Sequence, residues 1–508
     1  MKLSSLFVLI TSFWFSHQVI QAQYPDSAKF QTFSEFKSAL VTASNSPTEL
    51  NVLWQLLLNS RRVPFAIGDS VAFLYRGNSS SVKWNGDFNN WGGSSGGTGV
   101  KIGNNDVWIW ETVFPNDARL DYKIVLNGNN WILDPNNPNQ QMSGFGPNSE
   151  LRMPQYVSPI FAYRKQGVAQ GPLTSNQLIS SNNLGYSLHY RVYTPNGYNT
   201  LSNLPVIYVT DGQEYSHDQM GSMVITLDNL IAEGSIRPII AVFISPVNPS
   251  NSSQNRRQNE YPMNTTYLNF VKNELVPLID TNYKTAKSQD QRAILGTSLG
   301  GICAAFFGVR ASHTFGLIGI QSPAFWYSPG IYTDYQDSVK LPLKVYMSSG
   351  TINDTRDRAR QMRDLMQQKG YPLLYREVNE GHSWGNWRAL MKEMLTFFFP
   401  PTPLKVKEGK TPQKKSKNFG LKNFPNPFNP TTQIQFNLKE PSDVTLEIYD
   451  ALGKKVTTLL KSSHNQGNYS IPFEAGSLKL SSGVYFYKLK VNSKAGLFEE
   501  TNAMMLVK

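Results

Sequence analysis

The residues whose types and spacing could do chemistry begin with the pentapeptide Gly296-Thr297-Ser298-Leu299-Gly300. It follows a short apolar run, residues 293–295, and leads into a stretch of small and apolar residues. This order predicts a strand, a tight turn and a helix. A serine at such a turn presents its hydroxyl above the sheet, and the helix N-terminus directs amide dipoles towards a developing oxyanion. The pattern predicts a nucleophile at Ser298.

A serine hydroxyl is hardly ionised at neutral pH, so it needs a base and a third group that orients the base. In hydrolases built on this corner, the acid and then the histidine follow the serine, each after a later strand. Of the six histidines, His382 meets this order, in the loop after a predicted strand. The others precede the serine, end its helix or lie outside the predicted domain: His17, His189, His217, His313 and His464.

For the acid we predict Asp354, in the loop after the predicted strand 344–347. Aspartate is also a good helix N-cap, so Asp354 could instead cap the helix that follows. Asp357 and Asp334 are weaker candidates. Glu380 is too close to His382 in sequence to reach its ring easily.

The expected oxyanion donors are the backbone amides of Leu299 and Gln213. Gln213 follows a predicted strand, and Gly212 would let the backbone turn towards the serine. Asp211, the residue before, could simply cap this turn.

The elements that must position these residues alternate. Between residues 156 and 401, predicted strands alternate with helices, which indicates a mainly parallel sheet covered on both faces. Ligands then bind at the carboxyl ends of the strands. The predicted strands are 186–194, 206–210, 239–244, 293–295, 317–320, 344–347 and 374–378, and the predicted helices are 220–232, 267–279, 302–309, 356–368 and 387–398.

The chain of 508 residues is long enough for several domains. Residues 1–22 have the pattern of a secretory signal peptide, and no other segment is apolar enough to span a membrane. The single cysteine, Cys303, excludes an intramolecular disulfide. The net charge is +12, but six lysines fall within 405–417, so we expect a solvated linker over 402–418 and no nucleic-acid partner.

Two helical patterns within residues 23–68 precede a β-rich region over 69–155, for which a sandwich is the simplest prediction. Residues 82–91 and 120–126 resemble the signatures of glycogen-binding-type early-set modules. That resemblance implies sugar stacking on exposed aromatics such as Trp84, Trp91 and Trp131. These tryptophans could equally form the core or cover the neighbouring domain.

Residues 419–508 read as a small β-sandwich and resemble the C-terminal sorting domain of type IX secretion. Its blocks match residues 426–430, 449–456 and 483–489 in order. The resemblance implies the type IX machinery as a partner and a secreted or cell-surface location. An ordinary immunoglobulin-like appendage is the alternative.

The segments YVTDGQEY, NRRQNEY, ILGTSLGG, SPAFWY and EGHSWGNWR together resemble the esterase D-like family, which includes enterochelin and feruloyl esterases. The resemblance implies an α/β-hydrolase fold with the catalytic residues named above. Because the sequence has neither clustered metal ligands nor a phosphate-cradling loop, we expect no metal or cofactor. It also implies that Arg256, Arg257 and Glu260 shape the pocket, unless they form a solvated loop. The aromatic residues expected to form an acyl site, or in part the core, are Trp326, Tyr327, Trp384 and Trp387.

The sequence thus predicts a secreted serine carboxylesterase that acts on hydroxycinnamoyl or acetyl esters of plant polysaccharide. A siderophore esterase of the enterochelin type is the alternative within the same chemistry. A non-catalytic polysaccharide-binding protein on a hydrolase scaffold is the alternative from another class.

Overall fold

The computed structural model describes residues 30–401, 419–450, 453–478 and 480–507. The predicted signal peptide and the predicted lysine-rich linker lie outside these residues. The chain divides between residues 402 and 403 into two compact units. Within the described ranges, no helix combines the length and the hydropathy that crossing a membrane would require.

The helices in the described part of the chain are α1 Phe33–Ala43, α2 Pro47–Asn59, α3 Gly212–Tyr215, α4 Met223–Ala232, α5 Arg257–Glu260, α6 Thr265–Phe270, α7 Val276–Asn282, α8 Leu299–Arg310, α9 Gly330–Asp337, α10 Arg356–Gln368, α11 Trp384–Ala389 and α12 Met391–Phe398. The strands of the first unit are β1 Phe65–Ile67, β2 Ser70–Arg76, β3 Val82–Gly86, β4 Val100–Lys101, β5 Val107–Val113, β6 Arg119–Leu126, β7 Asn130–Ile132, β8 Gln140–Ser143, β9 Gly146–Arg152, β10 Gln177–Ser180, β11 Ser187–Tyr193, β12 Val206–Val209, β13 Ile240–Ser245, β14 Val247–Asn248, β15 Asn251–Asn255, β16 Arg292–Thr297, β17 Leu317–Gln321, β18 Lys344–Gly350 and β19 Leu373–Val378. Those of the second unit are β20 Lys422–Phe424, β21 Thr431–Leu438, β22 Ser442–Tyr449, β23 Lys455–His464, β24 Gly467–Glu474, β25 Gly483–Ser493 and β26 Gly496–Leu506.

The N-terminal β region, β1 to β9, consists of two sheets. Their strand orders are β1-β2-β5-β4 and β3-β6-β9-β8, with β7 paired to β6. Phe73 from the first sheet and Trp84 and Tyr122 from the second lie in one apolar cluster. The alternating inward side chains of the two sheets therefore share a core.

Helices α1 and α2 cover the first sheet. Thr32 and Ser46 begin them as N-caps, each accepting a hydrogen bond from a glutamate amide three residues later. Phe36 and Leu50 on these helices pack with Leu74 of β2. This packing stabilises the two short helices, which helix propensity alone would not.

The central sheet has the strand order β10-β11-β13-β12-β16-β17-β18-β19. Strand β11 is antiparallel to both of its neighbours. The other strands of this sheet are parallel to one another, in the order β13, β12, β16, β17, β18 and β19. Tyr208 and Val209 point into apolar clusters on opposite faces. Because both faces are covered, β12 is apolar along its whole length.

The predicted strands of this domain are all present, but two predicted helices differ. The helix expected over 267–279 is divided by a π-helical turn, Val271–Leu275, before α7. Pro277 near the start of α7 has no N–H to donate, which breaks the regular hydrogen-bond pattern there. The helix expected from residue 387 begins at Trp384 and divides into α11 and α12.

The second unit, considered by itself, contains a three-stranded and a four-stranded sheet. Their orders are β20-β21-β24 and β23-β22-β25-β26. Ile434 and Phe436 from one sheet and Leu446 and Leu489 from the other lie in a common apolar cluster. The unit therefore has a core of its own.

Candidate active site

Ser298 lies at a sharp corner between the central strand β16 and helix α8. Its backbone has φ 57° and ψ −118°, outside the usual regions for a residue with a side chain. The surroundings fix this geometry, because the Ser298 amide donates to the Gln321 carbonyl at 3.0 Å and the Ala324 amide donates to the Ser298 carbonyl at 2.9 Å. A strained serine between strand and helix is the arrangement of a nucleophile elbow.

The two positions that flank the corner require glycine, because neighbouring atoms lie too close for a Cβ. A Cβ at Gly296 would lie 2.1 Å from the carbonyl oxygen of Gly300, and one at Gly300 would lie 2.4 Å from Thr210 Oγ1. Neither position has room for a side chain, so the start of α8 packs directly against the ends of β12 and β16.

His382 and Asp354 form a hydrogen-bonded pair. His382 follows β19, Asp354 follows β18, and the His382 Nδ1 to Asp354 Oδ1 distance is 2.7 Å. The neighbouring parallel strands β18 and β19 end at the same edge of the sheet and bring these two loops together. The Trp387 ring packs edge-on against the imidazole, with the ring centroids 5.0 Å apart.

The other carboxylate oxygen of Asp354 is held by donors from the end of β18 and from the loop after β17. Asp354 Oδ2 accepts from the Gly350 amide and from Ser322 Oγ, each at 2.6 Å. Burial alone would raise the pKa of Asp354, but the facing His382 and these hydrogen bonds outweigh it and lower the pKa. The carboxylate is therefore ionised and fixed towards the imidazole.

The other candidate acids have other partners than His382, although Asp357 also lines the cleft of Ser298 and His382. Asp357 is on α10 with its side chain 81% exposed, and it pairs with Arg356. Asp334 pairs with Arg310, and Glu380 is buried against Arg119. The N-cap of α10 is Thr355, so Asp354 does not have the capping position that was the alternative.

The amides expected to bind an oxyanion lie at two helix starts. Leu299 is the first residue of α8, and Gly212 and Gln213 are the first two of α3. N–H groups at these positions have no acceptor within their own helix. Asp211 precedes α3 with φ 49°, but its side chain makes no capping hydrogen bond.

The Asp211 carboxylate instead pairs with Arg257. The Nε and Nη2 atoms of Arg257 donate to its two oxygens at 3.0 Å each. The Asp211 amide also donates to the Tyr261 hydroxyl at 2.8 Å. The alternative that Asp211 simply caps this turn does not hold, because its carboxylate forms a bidentate ion pair instead of a capping hydrogen bond.

Ser298 and His382 line a common cleft that extends in two directions. One part, of about 630 Å³, is lined by Trp326, Asp354, Arg356 and Arg358 among others. The other, of about 900 Å³, extends towards the N-terminal β region and is lined by Glu214, Arg257, Trp384 and Trp387 among others. Within the described residues, no group of three or more His, Cys, Asp or Glu side chains is placed to hold a metal ion.

The four aromatic residues expected at an acyl site divide into two kinds. Trp326 and Tyr327 are 60% and 45% exposed and pack edge to face on the loop after β17. Trp384 and Trp387 are buried, and their indole N–H groups donate to Glu214 Oε2 at 2.8 Å and Ser322 Oγ at 2.9 Å. These two therefore form one wall of the cleft while also packing in the core.

Of the three charged residues in the segment 256–260, the structure brings only Arg257 to the cleft lining. Arg256 lies over the ring of Tyr186, 4.0 Å from its centroid. Glu260 is 1% exposed and accepts a hydrogen bond from the Tyr186 hydroxyl. The alternative that Glu260 lies in a solvated loop is wrong, because α5 turns this carboxylate into the core; a part for Glu260 in shaping the pocket stays a prediction.

The three tryptophans of the N-terminal β region have different environments. Trp84 is fully buried between the two sheets, so it is a core residue and offers no face to a sugar. Trp91 and Trp131 line the larger part of the cleft, and Trp131 is 46% exposed. Phe145, from the turn between β8 and β9, joins them there.

Sequence reasoning missed Ser322 and Glu214. Ser322 follows β17, has φ 40° and joins Asp354 to Trp387 through its hydroxyl. Its place after a predicted strand, in the segment SPAFWY, was a usable signal. Glu214 has the same kind of signal in the segment YVTDGQEY, but its partner Trp384 is 170 residues away and could not be inferred from it.

Comparison with known proteins gives two family matches. Residues 181–398 match the family described as "Putative esterase", and residues 422–497 match the one described as "Secretion system C-terminal sorting domain". The resemblances to an esterase family and to a C-terminal sorting domain are thereby confirmed, and the resemblance of residues 69–155 to an early-set module stays a prediction. The sorting domain indicates export through the type IX system, to the cell surface or beyond it.

Some of the individual relatives are named as esterases. The "Endo-1,4-beta-xylanase/feruloyl esterase" of Xylanibacter ruminicola is 28% identical over 248 residues, which are 45% of this chain and 32% of that protein. The "Iron(III) enterobactin esterase" of Escherichia coli O6:H1 is 23% identical over 342 residues, which are 59% of this chain and 81% of that protein. The solved enterobactin esterase of Shigella flexneri superposes with a TM-score of 0.55 at 20% identity, over 65% of this chain and 92% of that one, and so shares its fold.

Proposed function

We propose that this protein is a secreted serine carboxylesterase that works through Ser298, His382 and Asp354, and the match of residues 181–398 to an esterase family model supports this. The observation that carries the proposal is the 2.7 Å contact of His382 Nδ1 with Asp354, in a cleft that also contains the strained Ser298. Export rests on the sorting domain and on the predicted signal peptide over residues 1–22.

In the proposed reaction, Ser298 Oγ attacks the ester carbonyl while His382 Nε2 takes its proton. Asp354 holds the imidazole in the required tautomer. The amides of Leu299 and Gln213, with Gly212 shaping the turn, stabilise the oxyanion. His382 then protonates the departing alcohol, and water activated by the same histidine hydrolyses the acyl-enzyme.

For the substrate we propose hydroxycinnamoyl or acetyl esters of plant polysaccharide. The exposed Trp326 supports an aromatic acyl site close to Ser298. Trp91 and Trp131 support a sugar-facing wall formed by an early-set-type sandwich over residues 69–155. A relative named as a xylanase and feruloyl esterase supports the same substrate class.

A siderophore trilactone is the second candidate substrate, supported by the relative named as an iron(III) enterobactin esterase. Assay of the purified protein on a feruloylated arabinoxylan oligosaccharide, an acetylated xylan oligosaccharide and a catecholate trilactone separates the two. We expect turnover of a plant ester and its loss in Ser298→Ala and His382→Ala. Faster turnover of the trilactone would favour the siderophore substrate. Absence of turnover on all three, together with no change in polysaccharide binding in Ser298→Ala, would favour a binding protein.

A further inference from the structure

We propose that Arg119, on β6 of the N-terminal β region, is a positioning residue that holds the His382 loop in its reactive place. This inference rests on the proposed esterase function. Arg119 contacts none of the three proposed catalytic side chains, and its guanidinium lies against the residues that follow His382 in the chain. The proposal is carried by contacts at several points of one short loop.

The first contact is a direct hydrogen bond. Arg119 Nη1 donates to Ser383 Oγ at 2.9 Å, one residue after the histidine. The Arg119 amide donates to the Asn379 carbonyl at 3.2 Å, three residues before it. Strand β6 therefore contacts the loop on both sides of His382.

The second contact is close packing against a glycine. A Cβ at Gly385 would lie 2.0 Å from Arg119 Cζ, so the guanidinium lies directly against the backbone at the start of α11. A Cβ at Gly381 would lie 2.3 Å from Cβ and Cγ of Asp87, in the turn after β3. Gly381 and Gly385, on either side of His382 and Ser383, therefore both pack against the N-terminal β region.

The charge of Arg119 is balanced by carboxylates of both regions. Arg119 is 0% exposed and pairs with Asp121, with Glu150 at 3.1 Å and with Glu380 at 3.5 Å. Glu380 is two residues before His382, so this ion pair joins the histidine loop to β6 and β9. A buried arginine placed among carboxylates has little freedom to move, because any displacement leaves charges unpaired.

The acid loop is held from the same region. Asn353 Nδ2 donates to the Asp87 carbonyl at 2.8 Å, one residue before Asp354. Asn353 has φ 47°, so its backbone is also constrained. The turn at Asp87 therefore contacts both loops whose side chains form the pair of His382 and Asp354.

These contacts concern reactivity because proton transfer depends on small distances. A displacement of about 1 Å in a catalytic group can cost about 100-fold in rate. Loss of the Arg119 contacts should therefore lower kcat and leave KM nearly unchanged, since Arg119 does not contact the cleft that binds the ester.

The test uses the full chain, a p-nitrophenyl ester and three variants. Ser383→Ala removes the acceptor of the Arg119 hydrogen bond, and Arg119→Lys keeps the charge but loses the planar fork. Arg152→Met is the matched control, because Arg152 pairs with the same Glu150 at 2.7 Å and lies over the ring of Tyr156. Thermal unfolding is measured for each.

We expect kcat to fall about 10-fold in Ser383→Ala and about 100-fold in Arg119→Lys, with KM within about threefold of wild type. We expect Arg152→Met to keep its kcat. Wild-type kcat in Ser383→Ala and in folded Arg119→Lys would overturn the proposal, as would an equal loss in Arg152→Met. An inactive wild-type protein that also fails to react with a fluorophosphonate would instead contradict the esterase function.

Discussion

The two oxygens of the Asp354 carboxylate have separate partners. Oδ1 contacts His382, and Oδ2 accepts from the Gly350 amide and the Ser322 hydroxyl. An amide in place of the carboxylate cannot accept at both positions, because one of its ends is a donor. The orientation of the imidazole depends on this division.

We predict that Asp354→Asn lowers kcat by about 10⁴-fold, because the imidazole is then held in the wrong tautomer. Steady-state kinetics on a soluble aryl ester measures the effect, and circular dichroism checks the fold. Asp357→Asn is the control, since the Asp357 side chain is 81% exposed on α10, and we expect it to retain wild-type kcat. Equal activity of the two variants would argue against Asp354 as the acid.

The buried Glu260 should make stability depend on pH. Burial raises its pKa from 4.5 to about 7, and the hydrogen bond from Tyr186 only partly opposes this. The unfolded chain releases this proton near pH 4.5 and the folded protein near pH 7, so the folded state binds more protons between them. The free energy of unfolding therefore falls as pH rises through this window and levels off above it.

We predict that Glu260→Gln removes this fall. Relative to wild type, the variant should gain about 3 kcal/mol in unfolding free energy between pH 4.5 and pH 7.5. Urea titrations followed by tryptophan fluorescence measure it, and all ten tryptophans precede residue 403, so the signal reports on the first unit. A difference that does not change with pH would show that Glu260 titrates normally.

Sequence reasoning singled out Asp354 and His382 as candidates because, in hydrolases with this serine turn, the acid and then the histidine follow the serine along the chain. It failed at Glu260, because the charged segment around it gives no sign of burial, and its partner Tyr186 is 74 residues away. Local sequence patterns do not show which residues distant in the chain will be in contact.

At the scale of elements, the corner between β16 and α8 depends on close backbone approach. We predict that Gly296→Ala lowers the free energy of unfolding by about 3 kcal/mol or more, since its Cβ would lie 2.1 Å from a backbone oxygen. Gly330→Ala is the control. The nearest atom to its Cβ is 4.0 Å away at the start of α9, and we expect no loss or a gain of about 0.5 kcal/mol.

Urea unfolding of the two glycine variants, followed again by tryptophan fluorescence, decides this prediction. If Gly296→Ala and Gly330→Ala had the same stability, the account of the corner would be wrong, because the structure leaves space at only one of these positions.

The central strands were predictable because each is a short apolar run between turn residues. Polar elements were not: the hairpin β14–β15 and helix α9 were absent from the expectation. Strand β15 is exposed along its length and has no apolar pattern to read. Local sequence patterns therefore do not predict such polar elements.

At the scale of the whole molecule, residues of the N-terminal β region and of the domain over residues 156–401, both in the first unit, line one cleft. The sequence predicted three tryptophans as possible sugar contacts, and the structure assigns Trp84 to the core and Trp91 and Trp131 to the cleft. Strand pairing decides this, because Trp84 lies opposite Ile124 of β6 with its side chain turned inward. No local pattern separates the three.

The most direct test of the central claim is the site of covalent labelling. The full chain is treated with a fluorophosphonate, digested, and the modified peptide is identified by mass spectrometry. We predict one stoichiometric adduct, on Ser298, that is absent from Ser298→Ala and forms much more slowly in His382→Ala. An adduct on another residue, or ester turnover that persists in unlabelled Ser298→Ala, would contradict the account.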